Sequence, residues 1–199
     1  DSALAAPLGA DPLASQLKPD TRLTIVVVDS DSPLPRPEFE VRRTLVERVL
    51  ETAARVGVDD VELVIATGLK QKWNAAAVTE VLGDRVATSF LPDGLVSSHD
   101  VTSPDLVHLG DVDGGPVKFN RRVASSDLVV LVSARADSGE RCPFVSGLGD
   151  VETVNRLAGA QSEDRYCAGV ESLVHGKIRT FAVVAVLGQP LLGRSLRFA

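Results

Sequence analysis

The chain has 199 residues, 44% hydrophobic and 24% charged, a balance that suits one soluble domain with a sizeable core. A net charge of -6 and only 4% aromatic residues count against phosphate-backbone binding and base stacking, so no nucleic-acid partner is expected. No apolar run reaches the roughly 18–20 residues that span a bilayer, and no basic segment precedes a hydrophobic one, so neither a membrane span nor a signal peptide is expected.

Residues 1–20 are rich in Ala, Pro, Leu and Asp without a period and read as an N-terminal arm, packed in part. The α/β domain is expected over 21–199. Thr21 to Asp29, TRLTIVVVD, is a continuous β-branched run, as in a strand buried on both faces of a parallel sheet. A proline-rich turn follows over Ser30 to Pro37. Glu38 to Gly57 then carries Leu45, Val49, Ala53 and Val56 on one helical face, with Glu51 and Arg55 at i,i+4 and Gly57 as a stop.

Val61 to Ala66 reads as the second strand. Asn74 can cap a short helix to about Leu82, ended by Gly83, and Arg85 to Leu91 reads as a third strand. Leu106 to Gly110 is expected as a fourth, leading into the Gly-rich turn DVDGGPVKFN. Ser126 to Ser133 and Ile178 to Leu187 complete the strands. Alternation of strand and helix predicts a three-layer α/β fold: a mostly parallel, Rossmann-like sheet with helices on both faces.

Two cysteines, Cys142 and Cys167, form no CxxC pair and no Cys/His metal spacing, so no metal site is expected. Two in this length are no disulfide framework, which points to a reducing, cytoplasmic setting, with a single bridge left open. The chain contains no methionine, so trimming and membership of a longer protein are both open.

Ligands of open α/β sheets bind beyond the carboxyl ends of the strands. Asp29 stands at one such end, as an orienting carboxylate or a turn residue. Lys70 and Lys72, just past Thr67-Gly68, suit a phosphate or carboxylate, or a solvated loop. His108 reads as a strand residue and His175 as a turn residue; His99 and His108 lack a helical metal spacing. The loop Ser138 to Asp150 holds three glycines but matches no Walker A or GxGxxG pattern. Arg141 beside Cys142 favours a thiolate, yet no pattern supplies a histidine base.

Several stretches, in order, resemble the N-terminal domain of the nickel-pincer lactate racemases and related 2-hydroxyacid racemases and epimerases. LGDVDGGPVKFNRRVASSDLVVLVS, Leu109 to Ser133, is the most specific of them. VVVDSDSP resembles the family strand ending in D-x-x-R-P, and IATGLKQ the one ending in A-x-G-x-H-R. SHDVTSPDLVHLG resembles the segment joining the third strand to the turn, and PFVSGLGD the motif G-F-S-G-G-x-K.

The resemblance implies a domain that shares a cleft with a second domain or subunit. It implies an isomerase activity in which a nickel-pincer nucleotide, tethered through a lysine, takes a hydride from the substrate while histidines serve as acid and base. Asp29 matches the family aspartate, but Ser32 replaces the substrate arginine and Gln71 the arginine after the first histidine. Lys70 replaces that first catalytic histidine, and Glu140 falls at or near the second. Asp150 falls at or near the tethering lysine, with Ser146 and Gly147 keeping the middle of the motif. A carboxylate cannot make the lysine's covalent bond, a lysine is a poor base near neutral pH, and serine cannot clamp a carboxylate bidentately.

The expectation is a divergent lactate racemase-like domain without nickel-pincer catalysis, acting as a small-anion or nucleotide binding domain or a partner domain. The other expectation is an enzyme of racemase type, with Asp29, Lys70, His99, Glu140 and Asp150 converging on a rebuilt cleft, or with a second domain supplied by another chain.

Overall fold

The computed structural model describes residues 2–29, 40–135, 143–159 and 163–186. Five strands form one parallel sheet: β1 (Leu23–Val28), β2 (Val61–Ala66), β3 (Val96–Ser98), β6 (Leu128–Arg135) and β7 (Thr180–Val186). Their order is β3-β2-β1-β6-β7, so the direction of winding reverses between β1 and β6. Such a switch point leaves a crevice outside the carboxyl ends of the strands.

The apolar runs of the inner strands are continuous because both faces of the sheet are covered there. Leu23, Ile25 and Val27 of β1 pack on one side with α3 (Val41–Val56) and α4 (Ala75–Phe90). Val26 faces the other side, against α5 (Arg121–Ala124), α6 (Pro143–Leu148) and α8 (Glu163–Lys177). The expected three-layer fold is therefore the observed one. Short helices α1 (Ser2–Ala5) and α2 (Leu13–Gln16) precede it, and Leu4, Leu13 and Leu17 join the α3 side of the core.

Helix α3 runs as its period predicts. Its N-terminal N–H on Arg42 is capped by the Glu40 carboxylate, and Gly57, in the left-handed conformation, closes its C-terminus. The expected Glu51–Arg55 pair forms at 3.8 Å. Arg85 to Leu91 is not a strand. The helix capped by Asn74 bends at Gly83, at φ 83° and ψ 162°, and then continues to Phe90. Val78, Leu82, Val86 and Phe90 recur every four residues and all pack on the core, which a strand spacing would not allow. The third strand of the sheet is instead Val96–Ser98.

Leu106 to Gly110 does fall on a strand, but not one of the main sheet. Its strand, β4 (Val107–Val112), lies outside the main sheet and pairs antiparallel with β5 (Gly115–Phe119). Asp113 and Gly114 join them with φ of 47° and 76°, the two positive values that a tight hairpin turn of the twisted kind requires. The pattern reading assigns no element to Val151–Lys177, where the structure has α7 (Val151–Gly159) and α8. His175 consequently sits in a helix and not in a turn, stacked on Phe144 with ring centroids 6.4 Å apart.

Cys167 is disulfide-bonded; the other cysteine of the sequence, Cys142, lies outside the described residues. Among the described residues, no helix is long and apolar enough to cross a membrane.

Arg122 of α5 ties the amino ends of the strands together. Its guanidinium meets Asp60 at 2.6 Å and Glu62 at 2.8 Å, and donates to the Thr24 hydroxyl and the Leu23 carbonyl. Arg122→Ala is expected to cost about 2 kcal/mol, less than a fully buried pair because Asp60 and Glu62 stay partly solvated. Urea denaturation measures this, and a loss below about 0.5 kcal/mol would mean that water replaces the guanidinium at no cost.

Candidate functional site

The carboxyl ends of β1 and β2 open into a cleft of about 190 Å³, lined among others by Asp29, Thr67, Gly68, Lys70, Ser146 and Gly147. β2 ends in a tight turn, in which the Lys70 N–H donates to the Thr67 carbonyl. Gly68 enters the left-handed region there, at φ 57°, and its N–H donates to the Gly147 carbonyl at 3.1 Å. A Cβ on Gly68 would lie 2.5 Å from the Ser146 carbonyl oxygen, and one on Gly147 would lie 2.6 Å from Ala66 Cβ. Two glycines thus let α6 rest directly on the end of β2, and this contact forms the cleft wall.

Lys70 reaches across the cleft, its Nζ donating to the Asp29 carbonyl oxygen at 2.5 Å. Arg42, from the start of α3, donates to the Val28 carbonyl beside it and is paired with Glu40 at 2.8 Å. Its guanidinium also lies over the Trp73 ring, 5.6 Å from the centroid. Sequence reading missed Arg42, because only the packing of α3 on the sheet brings it to the end of β1. Lys72 is spent elsewhere. It binds Asp100 at 2.6 Å, and this hydrogen bond, with those from Thr102, holds the Asp100 carboxyl far below the usual carboxylate range.

His99 lies behind the cleft, 2% exposed. Its Nε2–H donates to the Gly149 carbonyl at 2.9 Å, and Nδ1 accepts from the Asn120 amide at 3.3 Å. The Asn120 oxygen is already taken by the Val123 N–H at the start of α5, which fixes the amide orientation. Burial pushes the His99 pKa down. Asp150 is next to this group, 8% exposed, and its carboxylate accepts the Thr153 N–H at 3.0 Å as the cap of α7.

The structure therefore brings Asp29, Lys70, Ser146 and Gly147 together in the cleft. It places His99 and Asp150 in a second, buried polar group around Gly149. Glu140 and Ser32 lie outside the described residues. Among the described residues, no cluster of three His, Cys, Asp or Glu side chains is placed to hold a metal ion.

A parallel sheet whose winding reverses between β1 and β6, with helices on both faces and α6 laid over the end of β2, defines a Rossmann-like α/β domain. The family model described as the lactate racemase N-terminal domain matches residues 1–134, and the chain belongs to that family. Among solved structures it resembles the lactate racemase apoprotein from Thermoanaerobacterium thermosaccharolyticum, with a TM-score of 0.70 and 16% identity. That match covers 92% of this chain and 47% of the other. A protein from Thermotoga maritima is similar at a TM-score of 0.61 and 14% identity, over 86% of this chain and 48% of that one. The chain thus spans about half the length of these structures. No curated protein matches its sequence.

Proposed function

We propose that this lactate racemase-type domain binds a small anion, such as a short 2-hydroxy carboxylate, in the cleft at the ends of β1 and β2, without nickel-pincer catalysis. The observation that carries this reading is Lys70, an ammonium group lining a cleft of about 190 Å³. That volume is below the roughly 300–1,000 Å³ of drug-sized ligand sites, which favours a few-atom anion over a nucleotide. Lys70 carries the cationic side chain among the lining residues, and it also donates to the Asp29 carbonyl oxygen.

The nickel-pincer nucleotide does not fit the residues present. Asp150, which the resemblance sets at or near the tethering lysine, has no nitrogen to bond and is engaged in capping α7. Acid–base chemistry on a hydroxy acid has weak support, because His99 is buried with both ring nitrogens hydrogen-bonded. In this proposal a second domain or subunit closes the cleft, in keeping with the half-length match to the racemase apoprotein.

Calorimetric titration of the chain with lactate, inorganic phosphate and a nucleoside monophosphate tests the reading. Lactate or phosphate should bind, and Lys70→Met should weaken that binding at least about tenfold, the loss of one charge-assisted hydrogen bond. Lactate racemisation by the chain supplied with nickel and the pincer nucleotide would overturn the proposal, as would binding indifferent to Lys70.

A further inference from the structure

A second and larger cavity lies at the opposite end of the sheet. Its volume is about 620 Å³, and it runs between α3 and α4 past residues that precede β2 and β3. Leu50, Ala54, Val58, Val86, Phe90 and Leu95 give it apolar walls. Its α4 wall, Arg85 to Phe90, is the segment that the bend at Gly83 redirects. A Cβ on Gly83 would lie 2.4 Å from the Arg43 guanidinium, and its φ of 83° disfavours any other residue, so the bend is built in. The volume is that of a drug-sized ligand site, unlike the cleft.

Two guanidiniums converge on this cavity. Arg55 of α3 and Arg85 of α4 both line it, and their side chains are each 71% exposed, which puts them at its mouth. Each lies 3.8 Å from the same carboxylate, Glu51, at the long limit of an ion pair. The close contact of Glu51 goes to Arg48, at 2.9 Å. Neither Arg55 nor Arg85 has another ion pair or hydrogen bond among the described residues, so both forks keep donors for an incoming anion. Glu51, Glu47 and Asp59 also line the cavity; Glu51 is held by Arg48, Glu47 is engaged by Arg43 at 3.4 Å, and Asp59 has no ion pair among the described residues.

We propose that the α3–α4 cavity binds an amphiphilic monoanion, its apolar body between Leu50, Ala54, Val86 and Phe90 and its carboxylate or sulfonate head on Arg55 and Arg85. This site is separate from the cleft, and its occupancy does not depend on Lys70.

Titration of the chain with decanoate, decanol and decylamine, read by calorimetry, tests the assignment. Decanoate should bind tightest. Ala54→Trp, which fills the groove from α3, should abolish that binding, and Ser89→Trp does the same from α4 should the first variant fold poorly. The double variant Arg55→Ala/Arg85→Ala should weaken decanoate at least about tenfold and leave decanol unchanged. The proposal is overturned if decanoate does not bind, if decylamine binds as tightly, or if both folded tryptophan variants bind decanoate like the parent.

Discussion

Gly68→Val is expected to lower stability by about 3 kcal/mol and to abolish anion binding in the cleft. Two costs add. A β-branched residue at φ 57° is strained by about 1–3 kcal/mol. Its Cβ would also meet the Ser146 carbonyl oxygen at 2.5 Å, and a backbone atom cannot rotate away as a side chain can. The chain must then lift α6 from β2, which breaks the Gly68–Gly147 hydrogen bond and spreads the cleft wall. Chemical denaturation and lactate titration on the same variant separate the two effects. A variant of parental stability with an intact cleft would show that α6 is not held by this contact.

The second large effect is on pH dependence. His99 is held neutral, since a proton on Nδ1 would face the Asn120 amide N–H, and burial is the chief cause of its lowered pKa. Asp100 and Asp150 favour its charged form and Lys72 disfavours it, without reversing the sign. Unfolded histidine takes up its proton near pH 6.5, above the folded value, so the unfolded state binds more protons as pH falls. The stabilisation is present above that pH and is lost as pH falls through it toward the folded pKa. Urea midpoints should therefore decline from pH 7.5 to 5.5. His99→Gln, which cannot titrate, should be less stable at pH 7.5 by about 1–3 kcal/mol and decline less steeply. Equal slopes in parent and variant would assign the acid sensitivity to other groups.

Much of this architecture is legible in the sequence, for identifiable reasons. The inner strands β1, β2 and β6 have apolar runs because both sheet faces are covered there, and the run of the edge strand β7 is apolar although Ala182 and Val184 are exposed, so each run announces its own strand. Helix α3 shows its period and both ends. The second half of α4 was harder. A glycine with positive φ ends one helical segment whether or not another begins, and its sequence signature is the same in both cases. The hairpin carried its own signal, Asp113-Gly114 between two apolar runs, but not its separation from the main sheet, which follows from packing against α8.

The site divided along the same line. Asp29 and Lys70 could be placed because residues just past parallel strands must face the crevice. The burial of His99 and the approach of Arg42 depend on segments distant in the chain, α6–α7 for one and the sheet for the other. No local pattern encodes those meetings.

The Asp150 cap has a consequence for the redesign of this domain. Asp150, which the resemblance sets at or near a cofactor-bearing lysine, holds the start of a helix, through the Thr153 N–H, from a nearly enclosed setting. A lysine returned there would bring an amine but leave that N–H without its acceptor and place a cation at the positive end of α7. Installing a working lysine there is therefore not one codon away. A new cap has to be in place first, so the order of changes matters, and the present residue is entrenched by the structure that formed around it.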